Sequence, residues 1–143
     1  MTVPGRIDPD NPDLDNLPPS HAILFEDQDN NPKAIKPIVG GEGHTYLNKD
    51  GLTWDGTSAT TLDEVAASYS VHGVLYRQDK GSSKLVKLDT DSDIAYFSKG
   101  MVVSQTTGNT GVVGSTMIAE GVHYVDLGLV NDTKVTTEKK EVK

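Results

Sequence analysis

All seven prolines of this chain lie at or before Pro37, and the 106 residues that follow contain none. Proline fixes φ and lacks an amide donor, so a proline-rich segment neither holds a helix nor donates a continuous strand ladder. The chain must therefore fold in two different ways along its length. Pro4, Pro9, Pro12, Pro18 and Pro19 are interspersed with Asp8, Asp10, Asp13 and Asp15, which predicts an extended, irregular arm over 1–20. Seven acidic residues and Arg6 alone precede position 32, so this stretch carries -6 of the total charge of -8 and the remaining 112 residues only -2. Ile7, Leu14 and Leu17 are too few to build a core, but their separation suits insertion into pockets on another surface. Prolines stiffen such an arm and lower the entropy lost on docking. By composition alone the arm also fits a solvated tail.

The rest of the composition narrows the classes. At 143 residues the chain is long enough for one domain. Without cysteine it has no disulfide framework, thiolate zinc site or thiol nucleophile. A pI near 4.8 argues against nucleic acid, whose phosphates need clustered Lys and Arg. No apolar run approaches the roughly 20 residues of a membrane span. Met1-Thr2-Val3-Pro4 lacks the basic and apolar regions of a secretory leader, so none is expected.

Beyond the arm, short apolar runs alternate with turn residues. Ala22-Ile23-Leu24-Phe25 and a second run over 34–39 predict a hairpin around the dense turn signal at 27–32, with Pro37 placing the second strand at an edge. Gly40, Gly41 and Gly43 form a flexible link. Strands around Tyr46 and Trp54 flank Asp50-Gly51, a preferred tight-turn pair. Thr61 and Glu64 have capping-box spacing, and Leu62, Val65, Ala66 and Tyr69 follow at helical spacing, which predicts one short helix over 61–69. Strands are expected over 70–76 and 84–88, over 94–97 and 101–103 around a turn at 98–100, and over 112–113, 116–118 and 122–127. The segment 131–143 shows no buried face and is expected as a polar tail, solvated or a partly paired edge. The fold class is mainly β, a small sandwich or barrel-like domain over 21–130, with the arm before it and the tail after it.

Motifs for chemistry are sparse. Asp89, Asp91 and Asp93 have the opening spacing of a calcium loop, but no glycine follows at its sixth position and Gly100 stands where the closing glutamate belongs. An acidic turn is the simpler reading. His21, His44, His72 and His123 show no short ligand spacing, so no zinc site within one chain is expected. Ser115, His123 and Asp126 supply the residue types of a triad, but no nucleophile elbow presents the serine, and His123 and Asp126 point to opposite faces of an extended strand. The glycines at 108, 111 and 114 lack the lysine of a phosphate loop and no helix follows them. Asp63 and Glu64 are better explained by a helix start than by acid–base cleavage. No catalytic residue, metal or cofactor is expected.

The run Ile23-Leu24-Phe25-Glu26-Asp27-Gln28-Asp29-Asn30-Asn31-Pro32-Lys33-Ala34-Ile35-Lys36-Pro37-Ile38, after the arm, resembles the start of accessory head proteins of tailed bacteriophages. Strands rich in small residues that end in Gly121-Val122-His123-Tyr124-Val125-Asp126-Leu127-Gly128-Leu129 are similar in style to phage decoration and head-fibre proteins. The resemblance implies a non-enzymatic cement or decoration protein of the virion. Such a protein is commonly a homotrimer on the outer capsid surface that bridges major capsid protein subunits, with no catalytic residues to carry over. Contacts with the capsid or a neighbouring copy are then expected at Ile7, Leu14, Leu17, Ile23 and Phe25. Two alternatives stay open: a tail, neck or fibre adhesion module using Trp54, Tyr46 or Tyr76, and a small hydrolase or lyase marked by a pocket of converging polar groups.

Overall fold

A computed structural model describes residues 3–26 and 40–143. The turn and second strand of the expected N-terminal hairpin, and most of the run that carries the phage resemblance, lie outside the described residues. The described chain is all β: β1 (His21–Ile23), β2 (Gly41–Asp50), β3 (Thr53–Gln78), β4 (Val86–Asn109), β5 (Thr116–Asp126) and β6 (Asn131–Glu141). All pairings are antiparallel, in the order β1-β2-β3-β5-β6, with β4 on the other side of β3.

The architecture follows from the length of β3 and β4, 26 and 24 residues. The first half of β3 pairs with β2 through Thr53–Leu62, and the second half pairs with β5 through Ser68–Gln78, while β4 follows both halves. Between the halves the β3–β4 register shifts at Leu62/Ala66, and the inward-facing set changes from even positions (Trp54, Ser58, Leu62) to odd ones (Tyr69, Val71, Leu75). Such a bulge sharpens a strand's bend. Both long strands bend here, and the sheet folds over onto itself as a nearly closed, barrel-like structure.

Small residues let the two halves approach. A Cβ on Gly43 of β2 would collide with the His123 ring of β5, and one on Gly121 would collide with the hydroxyls of Thr45 and Ser58. The interior is layered. One apolar cluster joins Leu24, Leu62, Tyr69, Val71, Val102 and Val125, and another joins Leu47, Trp54, Leu75, Met117, Ala119 and Val142. A buried belt of Thr45, Ser58, Thr60, His123 and Thr136 completes the interior.

Three expectations are corrected. No helix forms among the described residues, and 61–69 belongs to β3. Thr61 pairs with Glu42 on one side and Met101 on the other, and the Asp63 amide donates to the Gly40 carbonyl, so cross-strand partners take the groups a helix would have used. Leu62, Ala66 and Tyr69 do share one core, reached through the bend, while Val65 faces solvent. Tertiary context overrides a local helix signal of this length. The runs at 94–97 and 101–103 are not hairpin partners but parts of the single strand β4, bent where Phe97 and Gly100 adopt positive φ. Finally, the expected tail is β6, paired with β5 from Asn131 to Glu141, so the domain does not end at 130. Its buried positions are Val135, Thr136 and Thr137: Thr136 turns inward to His123 and Thr45, while Thr137 on the opposite face is covered by Pro18 and Pro19 of the arm, so burial is disguised as polar sequence.

Candidate functional site

The arm is the first surface to place, because it held most of the expected contacts. It docks on its own chain. Arg6 Nε and Nη2 lie 3.2 and 3.0 Å from Glu120 Oε1, and the Ile7 amide donates to Glu120 Oε2 at 2.6 Å. Glu120 is fully buried, so the arm supplies the countercharge and hydrogen bonds that a buried carboxylate requires. Ile7 joins Val74, Tyr76, Leu85 and Ile118 in a third core cluster, with Leu14 and Leu17 packed against it. Further along, the Leu85 amide donates to the Pro9 carbonyl at 2.8 Å and Lys139 Nζ to the Leu14 carbonyl at 2.9 Å. The arm therefore covers the outer face of β3 and β5. Ile7, Leu14 and Leu17, expected to enter pockets on another surface, pack within this chain because Val74, Tyr76 and Ile118 offer them an apolar face.

The end of the arm closes the barrel. The Thr45 amide of β2 donates to the Ser20 carbonyl at 2.9 Å, and the Thr137 amide of β6 donates to the Pro19 carbonyl at 3.0 Å. Thr137 Oγ1 also donates to the Pro18 carbonyl. Proline lacks a donor but keeps its acceptor, so Pro18 and Pro19 can serve as one-sided staves. Just beyond β1, the Phe25 amide donates to the Asp132 carboxylate at 2.6 Å, and Lys134 Nζ donates to the Glu26 carbonyl at 3.0 Å. Phe25 packs against the first core cluster, which leaves Ile23 as the exposed member of the five expected contact residues. Where β2 and β6 meet directly, side chains close the gap: the Leu47 amide donates to Glu138 at 2.6 Å, and Lys140 Nζ donates to the Leu47 carbonyl at 3.1 Å.

Aspartates close the opposite seam. Asp89 accepts from the Thr107 amide at 2.9 Å, Asp91 from the Gln105 amide at 2.9 Å and Asp93 from the Val103 amide at 3.4 Å. Alternate positions on the first half of β4 thus cap alternate free amides on its second half. The carboxylates step along a strand rather than converging on a point, which removes the calcium-loop reading. The spacing of two that suggested a loop is the side-chain period of a strand.

The buried belt is a relay of hydroxyls around one imidazole. His123 Nδ1 is 2.9 Å from Thr60 Oγ1 and Nε2 is 2.7 Å from Thr136 Oγ1; Thr136 continues to Thr45 at 2.6 Å and Thr45 to Ser58 at 2.8 Å. Burial lowers the His123 pKa to about 4, with a smaller contribution from His44, so the ring is neutral at pH 7. Both its nitrogens are taken by threonines, the buried Ser115 hydroxyl has no hydrogen-bond partner among the described residues, and Asp126 accepts from the Gly128 amide, so the three do not form a triad. On the arm side, burial and then Glu120 raise the Tyr76 phenol above its ordinary pKa, while burial and then Arg6 lower that of His72.

Comparison with protein-family models, curated proteins and solved structures finds no match to this chain. Two outward-facing features remain. Around the β3–β4 bend, Val65, Ile94, Tyr96, Phe97 and Met101 are exposed, Phe97 by 80%. Beside Ile94, a hollow of about 380 Å³ is lined by Ser70, His72 and Ser92 among others. Across β1 and β2, His21, Glu42 and His44 form a group whose ligand atoms lie close enough together to hold a metal ion, the one such group among the described residues. The separated positions of His21 and His44 conceal it in sequence, although Glu42 and His44 share one strand face at a spacing of two.

Proposed function

We propose that this chain is a non-enzymatic structural protein of a tailed-bacteriophage virion, a decoration or cement protein that binds major capsid protein on the outer head surface as a homotrimer. The reading rests on the resemblance of the N-terminal run and the closing strands, and one structural observation supports it. A barrel whose seams are both covered still exposes Val65, Ile94, Tyr96, Phe97 and Met101 together around one bend. Clustered apolar surface of this kind marks association sites. With Ile7, Leu14 and Leu17 held within the chain, the contact with the shell falls to this bend rather than to the arm.

The adhesion alternative draws less support, because Trp54 and Tyr76 are buried and only Tyr46 of its three aromatics faces solvent. The hydrolytic alternative gains nothing from Ser115, His123 and Asp126, because His123 is sealed among threonines. The test is mass spectrometry and labelled imaging of virions from the phage that encodes the chain. The expected result is the protein on the head, lost from it in a Tyr96→Ser, Phe97→Ser double variant that still folds. Its absence from particles, or its presence on tails alone, would overturn the reading.

A further inference from the structure

We propose that His21, Glu42 and His44 form a binding site for a divalent transition cation, zinc being the natural occupant, and that the bound ion staples the closing strand β1 to β2. This inference is independent of the virion reading. His21 and His44 are direct cross-strand partners, and Ile23 is the partner of Glu42. Backbone bonds from Thr45 to Ser20 and from Leu24 to Gly41 place His21–His44 at a non-hydrogen-bonded position, where opposing side chains stand closest. The two rings stack with centroids 4.5 Å apart, 25° from parallel. Both direct Nε2 at one carboxylate: His21 Nε2 lies 3.7 Å from Glu42 Oε1 and His44 Nε2 lies 3.3 Å from Glu42 Oε2.

Those separations suit shared ligation. Zinc bonds of 2.0–2.2 Å in a tetrahedron place adjacent ligand atoms roughly 3.4 Å apart. Two imidazoles and one carboxylate suit zinc, copper or nickel, and not magnesium or calcium, which prefer all-oxygen shells. A second observation points the same way. Tyr46 Oη is 3.1 Å from His44 Nδ1, which fixes that ring with Nε2 toward Glu42, as ligating histidines are held by a partner on their other nitrogen. His21, Glu42 and Tyr46 are solvent-exposed and His44 half-buried, so an ion reaches the site freely and keeps water in its remaining position. His21 directly follows Ser20, whose carbonyl helps seat the arm, so ligation adds a link at the point where the barrel closes.

The test is calorimetric titration of the full chain with zinc chloride at neutral pH, with magnesium chloride as the control, beside thermal unfolding with and without zinc. The proposal expects one zinc per chain, no magnesium binding, and a rise in Tm with zinc. It expects loss of both effects in His21→Ala and in His44→Ala, and unchanged binding in His72→Ala. Tyr46→Phe should weaken binding by about 10-fold or more. Circular dichroism establishes that each variant is folded. Should a histidine variant fail to fold, Glu42→Gln, which removes the charge but keeps the shape, takes its place and is expected to weaken binding likewise. Absence of zinc binding by the wild-type chain, or equal binding by folded variants lacking a ligand, would overturn it.

Discussion

His123 shows how one side chain can set the acid limit of the fold. Its ring has no exposed surface, both nitrogens engage threonine hydroxyls, and burial holds its pKa near 4 against an ordinary 6.5. The unfolded chain therefore takes up a proton that the folded one refuses. Stability from this group is complete above about pH 6.5 and declines as pH falls toward 4, by on the order of 3 kcal/mol at 1.36 kcal/mol per pKa unit. Urea unfolding at pH 7 and at pH 4.5, compared between wild type and His123→Gln, isolates this contribution. The wild type is expected to lose more stability than the variant over that interval. The buried ion pair acts at the same scale. Arg6→Met leaves Glu120 with the Ile7 amide but without its countercharge. Because Arg6 is itself 36% exposed, the expected loss is tempered by solvent to roughly 1–3 kcal/mol. Guanidinium unfolding measures it.

Among the elements, β4 carries the least expected role. Its three aspartates occupy alternate positions and cap amides of the same strand after its bend. An edge so capped offers fewer free donors to a foreign strand, a recognised means of limiting edge-to-edge association. Asp89→Ala should cost about 1 kcal/mol by freeing the Thr107 amide, and added calcium should leave Tm unchanged in either form; a thermal-shift assay reads both. The aspartate ladder also shows what sequence can and cannot convey. Asp50-Gly51 identified the β2–β3 hairpin because a tight turn is a local event, and Gly51 does take a positive φ. The aspartates have their partners 10 to 18 residues away, across a bend with no local signature. The same reason explains 61–69, where a capping box competes with two flanking strands, and β6, whose Thr136 is buried against His123 and Thr45 and whose Thr137 is buried under Pro18 and Pro19, all distant in sequence. The candidate metal group runs against the expectation of no zinc site within one chain, because the pairing that brings His21 to Glu42 and His44 depends on the β1–β2 register.

For the whole molecule, proline and charge asymmetry separate an arm from a β-domain in sequence, and the structure joins them again. The arm neutralises Glu120, covers Val74, Tyr76 and Ile118, and seats Pro19 and Ser20 between β6 and β2. Proline is well suited to such a strap, because it stiffens the segment while its carbonyl still accepts from a neighbouring strand. The fold is thereby closed in cis, and the apolar residues at the bend of β3 and β4 stay exposed to solvent. Hydrogen exchange of the full chain, resolved at individual amides, tests this closure most directly. Ile7, Thr45 and Thr137, whose amides bond to Glu120, Ser20 and Pro19, are predicted to be protected as strongly as core amides of β3 and β5. Exchange at these three positions as fast as in an unstructured peptide, with β3 and β5 still protected, would contradict the account.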